Sequence, residues 1–221
     1  MDLEKIERLA EKEMEDRVEH TGREPGWILA HGRRVAKLAV WLADELSVDV
    51  DRHVLYTAGL FHDIGKGEPD HQKVGARQAG KLLKRSCTEE ELGQIVEMIE
   101  AHNQRGQQGY STGALVIQDA DVLDHVGPIG AMLMFYWNGQ HEERFSDLCD
   151  YVGGETARGA RQEMRASLNF ELSRQVFDRR VAYEDELVDI LQKVYQEGRW
   201  TGDVSRLERL RSELVSGLSR S

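Results

Sequence analysis

The segment from residue 58 to residue 66, AGLFHDIGK, constrains the chain more than any other, because an apolar run ends there in an adjacent imidazole and carboxylate, His62 and Asp63. An unpaired charge in an apolar setting is costly, so such a pair needs a partner. A metal ion is a partner for both groups, since imidazole nitrogen and carboxylate oxygen are common metal ligands. The segment therefore predicts a metal site, provided that the chain supplies further ligands.

The rest of the chain is patterned for helices. It contains only three prolines in 221 residues, and its apolar residues recur every three or four positions. The predicted fold class is therefore all-α. The predicted helices cover residues 3–20, 27–46, the stretch from Asp51 to Asp63, a stretch that starts at His71, the stretch from Thr88 to His102, and then 112–125, 129–137, 141–151, 155–167, 168–181, 183–198 and 203–218.

Several residue types mark the ends of these helices. Asp51 and Asp70 are expected to cap the helices that follow them, and Thr88 begins a capping-box pattern. Gly65 is expected to end the helix that carries the His-Asp pair. Residues 103–111 are rich in Gln and Gly, and we expect them to form a surface loop that can act as a lid.

Four further apolar stripes end in, or are interrupted by, a residue that can bind metal. These residues are His31, His71, His102 and Asp121. Asp119 is expected to point away from Asp121, because two residues correspond to about 200° around a helix. A single histidine on an apolar face is more often a hydrogen-bonded core residue. Repetition of such residues around the His-Asp pair favours a shared metal site instead.

These motifs resemble those of the HD-domain metal-dependent phosphohydrolase superfamily. The resemblance rests on His31 and on the motifs GLFHDIGK and QDAD, and it extends over about residues 25–140. It implies an all-α HD-domain helical bundle with additional C-terminal helices. We expect one HD-type domain over residues 1–221, with its metal-binding core at about 25–140 and a C-terminal helical extension at about 150–221.

The same resemblance implies a set of metal ligands. The residues that would bind the first ion are His31, His62, Asp63 and Asp121. In members with two metals, further histidines lie where His71 and His102 stand, so these two would bind a second ion or contact the substrate. Asp63 would then bridge both ions. The expected cofactor is one or two divalent transition-metal ions per chain, Mn, Fe, Ni, Co or Zn, with Mg as an alternative.

The expected activity is hydrolysis of a phosphoester or phosphoanhydride of a nucleotide through a metal-activated water. Asp63 and Lys66 are the catalytic candidates, while Lys66 and Arg34 would bind the phosphate of the substrate. The sequence lacks the Gly-Tyr-Pro motif of the subgroup that acts on cyclic dinucleotides, which argues against such a substrate. Two alternatives stay open: a di-iron oxygenase of the HD-domain type, and a non-catalytic module that senses a nucleotide.

The net charge of the chain restricts the kinds of molecule that it is expected to bind. The formal net charge is −11, from 29 basic and 40 acidic residues, which argues against binding a nucleic acid polymer through a broad basic face. A small phosphorylated substrate is compatible with this charge, because bound cations create a local positive field. No stretch is long and apolar enough to be a membrane span, and the N-terminus lacks a signal-peptide pattern. Cys87 and Cys149 match no zinc spacing. We therefore expect a cytoplasmic protein with reduced thiols. A homodimer is an open alternative.

Overall fold

The computed structural model describes residues 1–18, 23–142, 144–197 and 205–216. In these residues the backbone forms eleven α-helices and no strand, which confirms the predicted all-α class. The helices are α1 Leu3–Met14, α2 Trp27–Glu45, α3 Arg52–Phe61, α4 His71–Leu83, α5 Glu89–Ala101, α6 Thr112–Asp124, α7 Pro128–Gln140, α8 Phe145–Gly153, α9 Glu155–Ala166, α10 Glu171–Glu197 and α11 Ser205–Ser216. None of the described helices is both long enough and apolar enough to cross a membrane.

The chain divides into two compact units, Met1–Asp121 and Val122–Ser221. In the first unit α2 packs extensively on α3, and α5 packs on both α3 and α4. Helix α1 adds to this group through contacts with α2 and α3. The core of the unit is aliphatic and aromatic, with Leu42, Phe61 and Ile99 fully buried. These helices together frame the segment that carries the His-Asp pair.

The crossing of α2 and α3 is close because glycines occupy it. A Cβ on Gly32 would lie 2.4 Å from the carbonyl oxygen of Leu60, and a Cβ on Gly59 would lie 2.7 Å from the Cα of Ala36. Contacts this short do not occur between non-bonded atoms, so a larger residue at either position would separate the helices. The close crossing sets His31, the neighbour of Gly32, against the C-terminal end of α3.

Two of the predicted helix caps are present and one differs. Asp51 accepts hydrogen bonds from the backbone N–H groups two and three residues later, and Thr88 forms a reciprocal capping box with Glu91. Asp70 does precede α4, but its backbone is left-handed, with φ of 53°, and its side chain makes no capping hydrogen bond. The prediction of a side-chain cap at Asp70 is wrong, because a capping residue needs extended φ and ψ to aim its oxygen at the first turn.

Gly65 also has a different role from the predicted one. Helix α3 ends at Phe61, and Gly65 lies in the turn that follows it. A Cβ on Gly65 would lie 2.2 Å from the carbonyl oxygen of His71 and 2.6 Å from the backbone nitrogen of Gly75. The glycine therefore lets the turn after the His-Asp pair pack directly on α4, which brings the first turn of α4 to the site.

The first helix is shorter than predicted. It ends at Met14 rather than at residue 20, and residues 19–22 lie outside the described part of the chain. The chain turns after Met14, where the N–H of Arg17 bonds to the carbonyl of Met14 and the carbonyl of Arg17 accepts the N–H of Gly26. Helix α1 itself is tied to α2, because the guanidinium of Arg33 pairs with Glu7 and Glu11.

The second unit contains α7 to α11, with a small core in which Leu148, Val152 and Val188 pack against Met134 and Phe135. The two helices predicted at 168–181 and 183–198 form one helix, α10. The predicted break is wrong. No glycine or proline occurs between Glu171 and Glu197, and a continuous helix keeps every internal backbone hydrogen bond. Residues 198, 203, 204, 217 and 218 of the predicted C-terminal helices, and the side chain of Cys149, lie outside the described part.

A buried carboxylate joins three helices of the second unit. Glu184 on α10 is 3% exposed, and its oxygens accept the backbone N–H of Gly127 at 2.6 Å and a guanidinium N–H of Arg161 at 3.2 Å. Burial raises the pKa of Glu184 to about 7, although Arg161 and the N–H of Gly127 act in the opposite direction. The charged form of this carboxyl is therefore less stable in the folded unit than in water.

This raised pKa predicts a pH-dependent stability of the second unit. The folded state binds the proton of Glu184 more tightly than the unfolded state, whose pKa is near 4.5. The free energy of unfolding should therefore fall by up to about 3 kcal/mol as the pH rises from about 4.5 to 7, and then level off. Urea unfolding of Glu184→Gln should show a flatter profile across this range, whereas Glu163→Gln, which removes an exposed carboxylate, should keep the wild-type slope. Equal slopes in both variants would contradict the assignment.

Candidate metal centre

Six predicted site residues converge in the first unit. Helix α2 supplies His31, the turn after α3 supplies His62 and Asp63, the first turn of α4 supplies His71, the end of α5 supplies His102, and α6 supplies Asp121. Five of the six are buried, with exposures from 0% to 6%, and only His71 is partly exposed. Such a set of buried imidazoles and carboxylates, drawn from five segments, needs a common partner.

A first group of four ligand atoms surrounds one point. The Nε2 atoms of His31 and His62 are 3.1 Å apart, and Oδ1 of Asp121 lies 3.3 Å and 3.6 Å from them. Oδ2 of Asp63 lies 3.8 Å from each of the same two nitrogens. The residues predicted to hold the first metal ion therefore present one atom each to a shared position.

A second group uses the other oxygen of Asp63. The Nε2 atoms of His71 and His102 are 3.2 Å apart, and Oδ1 of Asp63 lies 3.5 Å from the first and 3.6 Å from the second. Asp63 thus directs one carboxylate oxygen to each group. This division is the arrangement that a bridging carboxylate between two ions requires.

The distances in both groups fit a divalent ion. Ligand atoms about 2.1 Å from a metal lie roughly 3.0–3.4 Å from one another, depending on whether the coordination is octahedral or tetrahedral. The nitrogen pairs and the His31–Asp121 contact fall in this range, and the contacts to Asp63 are slightly longer. Oδ1 of Asp63 is buried and has no hydrogen-bond partner among the described residues, so a cation there would satisfy it.

Two of the histidines are oriented by the helices that they end. The Nδ1 atom of His62 lies 2.7 Å from the carbonyl oxygen of Gly59, and Nδ1 of His102 lies 2.7 Å from the carbonyl oxygen of Ile99. A carbonyl oxygen can only accept, so Nδ1 carries the proton in both rings. Nε2 is then the nitrogen of His62 and of His102 that is available to a metal ion, and the hydrogen bond at Nδ1 fixes the orientation of each ring.

Electrostatics keeps these groups in the forms that bind metal. Burial lowers the pKa of His102 to about 4, and burial is also the main cause of the lowered pKa of His71, so both rings are neutral near pH 7. Burial alone would raise the pKa of Asp63, but His62, Lys66 and His102 together bring it well below its usual range. A neutral imidazole and an ionised carboxylate are the states that a divalent cation requires.

The two predicted phosphate-binding residues lie in different surroundings. Nζ of Lys66 is 3.0 Å from Oδ2 of Asp63, and its side chain is 41% exposed, so the ammonium is both at the site and accessible. The guanidinium of Arg34 lies over the ring of Trp27, 5.4 Å from its centroid. The roles of Lys66 and Arg34 toward a substrate stay predictions.

Two arginines at the site were not identified from the sequence. Arg105, in the loop after α5, donates to Oδ2 of Asp121 at 2.6 Å. Arg17, after α1, donates to the carbonyl oxygens of Ile64 and Lys66 and so holds the turn after the His-Asp pair. Arg105 is the one basic residue in the Gln- and Gly-rich loop, which was the available signal. No comparable signal marks Arg17.

The fold and the site together define a helical domain built around a buried His-Asp cluster that is fit to bind metal ions. Residues 28–125 match the HD domain family, and this span contains all six residues of the cluster. The chain therefore carries an HD domain, as its motifs predicted.

Similar proteins agree with this fold. Ribonuclease Y of Lawsonia intracellularis is 35% identical over 111 residues, which cover 48% of this chain and 19% of the relative. The chain thus matches about a fifth of the length of that curated relative. The structure of Bacillus subtilis YpgQ in complex with ADP covers 87% of this chain and 93% of its own, with 21% identity and a TM-score of 0.56. An HD-superfamily hydrolase of Bacillus thuringiensis covers 88% and 98%, with 21% identity and a TM-score of 0.62.

Proposed function

We propose that this HD domain is a metal-dependent phosphohydrolase that cleaves a phosphoester or phosphoanhydride of a nucleotide. The observation that carries the proposal is the division of the Asp63 carboxylate between two groups of ligands, 3.5–3.8 Å from the histidine nitrogens on either side. A divalent ion held in such a site lowers the pKa of a bound water and polarises a phosphoryl oxygen.

The protein groups around the site have separable tasks. His62 and His102 keep their Nε2 atoms directed inward through hydrogen bonds to their own helices. Asp63 accepts no hydrogen bond at Oδ1 from a described residue, so that oxygen is available to a cation. Lys66 is accessible and adjacent to Asp63, where its ammonium can stabilise negative charge that develops on a phosphate or a leaving group.

A nucleotide is the preferred substrate for two reasons. The net charge of −11 disfavours a long polyanion, while a short phosphorylated molecule meets only the local positive field of the site. YpgQ, whose fold is similar, was crystallised in complex with ADP.

RNA is the second candidate substrate, because ribonuclease Y shares 35% identity over 111 residues with this chain. Both substrates are phosphate esters or anhydrides, so the same cluster would serve either.

The proposal is tested with metal-depleted protein supplied with Mn, Fe, Co, Ni or Mg, in the presence and in the absence of oxygen. Nucleoside mono-, di- and triphosphates and a short single-stranded RNA are incubated with it, and products are separated by ion-exchange chromatography. We expect metal-dependent turnover of at least one nucleotide. His62→Ala should lower it by at least about 100-fold. His53→Ala, which changes an exposed histidine of the preceding helix α3, should have no effect.

Other outcomes identify the alternatives. Cleavage of RNA with no turnover of nucleotides would replace the proposed substrate and keep the proposed chemistry. Product formation that requires iron and oxygen would instead identify an oxygenase. Tight nucleotide binding without turnover under any metal would identify a sensing module and would overturn the proposed activity.

A further inference from the structure

The loop of residues 103–111, which we term the Arg105 loop, is bound to the metal centre at two points. Nδ2 of Asn103 donates to the side chain of Gln72, the neighbour of His71, at 3.3 Å. Arg105 donates to Oδ2 of Asp121 at 2.6 Å. Both contacts reach a predicted ligand or the residue beside one, so the position of this loop is coupled to the state of the site.

Arg105 lies one carboxylate away from the first metal position. Its guanidinium holds Oδ2 of Asp121, while Oδ1 of the same carboxylate faces His31 at 3.3 Å. The side chain of Arg105 is 34% exposed, whereas that of Asp121 is 9% exposed. The guanidinium therefore stands between solvent and the ligand set, at the distance where it can meet an anion that enters the site.

Charge determines which partner Arg105 prefers. The guanidinium of Arg105 neutralises the charge of Asp121 through a charge-assisted hydrogen bond. A dication on Oδ1 adds two positive charges next to the guanidinium and takes up the negative charge of Asp121, so the ion pair is weakened. A phosphate placed on that dication restores negative charge, and its oxygens match the planar fork of an arginine.

The backbone of the loop permits such a movement. Gly106 and Gly109 have positive φ values of 76° and 96°, and a Cβ at either position would meet no atom within 4 Å. Three described hydrogen bonds join side chains within the loop, such as Gln107 with Gln104 at 2.9 Å and Tyr110 with Gln107 at 3.3 Å. The two ends of the loop are held by neighbouring helices, because Ser111 bonds to Glu97 and the carbonyl of Gln104 accepts from Gln118. The segment between these ends can therefore shift about glycines that tolerate a change of backbone angles.

We infer that Arg105 is a phosphate-binding residue that exchanges partners, from Asp121 to a phosphate of the substrate once a cation occupies the site. The inference deepens the proposed function and rests on it for the identity of the anion. A substitution that removes the guanidinium should therefore change two affinities in opposite directions. The affinity for metal should rise, because a positive charge beside the metal position is lost. The affinity for phosphate should fall, because a hydrogen-bond donor to phosphate is lost.

The test compares Arg105→Gln with Arg85→Gln, which removes an exposed arginine at the end of α4. Metal affinity is measured by competition of Mn and Co with a chromogenic chelator, and anion affinity by calorimetric titration of inorganic phosphate into metal-loaded protein. We expect Arg105→Gln to bind metal about threefold more tightly and phosphate about tenfold more weakly. Arg85→Gln should match wild type in both.

Hydrogen exchange of peptides from residues 103–111 gives an independent readout. Exchange in wild type should rise on adding metal alone and fall again on adding phosphate to the metal-loaded protein. Weaker metal binding by Arg105→Gln would overturn the inference, because it would show that Arg105 orients Asp121 as a ligand. Unchanged phosphate affinity would overturn it as well. Neither measurement depends on turnover, so failure of the proposed hydrolysis is recognised separately.

Discussion

Replacement of Asp63 by asparagine is expected to abolish both metal positions at once and to lower turnover by roughly 10³-fold or more. One carboxylate oxygen of Asp63 faces each group of histidines, whereas an amide offers one oxygen and one N–H2 donor. The amide nitrogen would face one group of imidazole nitrogens with no lone pair to offer a cation. At the other group a neutral amide oxygen would replace a charged carboxylate oxygen, which weakens the attraction to a dication. Elemental analysis of Mn- or Co-loaded, gel-filtered Asp63→Asn should give well under one ion per chain, against two for wild type.

The control for this experiment is a substitution in one group only. His71→Ala leaves the four ligand atoms of the first group intact, so it should retain about one ion per chain. Circular dichroism should show the wild-type helix content in both variants. Two metal ions per chain in Asp63→Asn would refute the bridging role of Asp63. One metal ion per chain in both wild type and His71→Ala would refute the second metal position.

Replacement of Gly32 by alanine is expected to have the largest effect on the fold. The added Cβ would lie 2.4 Å from the carbonyl oxygen of Leu60, an atom fixed in the backbone of α3, so α2 and α3 must move apart. We expect a loss of about 2–3 kcal/mol in the free energy of unfolding, measured by urea denaturation. Because His31 and His62 come from these two helices, metal affinity should fall as well.

Gly93→Ala is the matched control, since Gly93 also lies inside a helix, α5, and a Cβ there would meet no atom within 4 Å. That variant should be equal to wild type or more stable by up to about 1 kcal/mol, because alanine is the better helix former. If Gly32→Ala were as stable as Gly93→Ala, the close crossing would not be a determinant of the fold.

The cluster was largely readable from the sequence because two local signals coincide there. Each position of the cluster holds a histidine or an aspartate, which are common metal ligands, and helical periodicity places most of them on apolar faces. These are positions 31, 62, 63, 71, 102 and 121. An apolar face must be buried, so ligands at the ends of several such faces meet in the interior. Asp119 is also fully buried, so burial on α6 does not by itself identify a ligand. Its predicted direction, away from Asp121, stays a prediction.

Contacts made by loop residues could not be predicted from the sequence, because loops lack a periodic pattern. Arg17 reaches carbonyl groups 47 and 49 residues further along the chain, and Arg105 reaches a carboxylate 16 residues away across a loop. Neither partner is encoded by spacing, because the path of a loop depends on tertiary packing. The role of Gly65 was misread for a related reason: a glycine after a helix predicts a stop, whereas its contact with α4 depends on the three-dimensional arrangement.

The hydrogen bonds from His62 and His102 to their own helices also limit where these rings can gain a proton. In each ring Nδ1 already carries a hydrogen that is donated to a backbone carbonyl, so an added proton can bind only at Nε2. Nε2 is the same nitrogen that faces the neighbouring ligand atoms, so a proton and a metal ion would compete for one atom in each of the two rings.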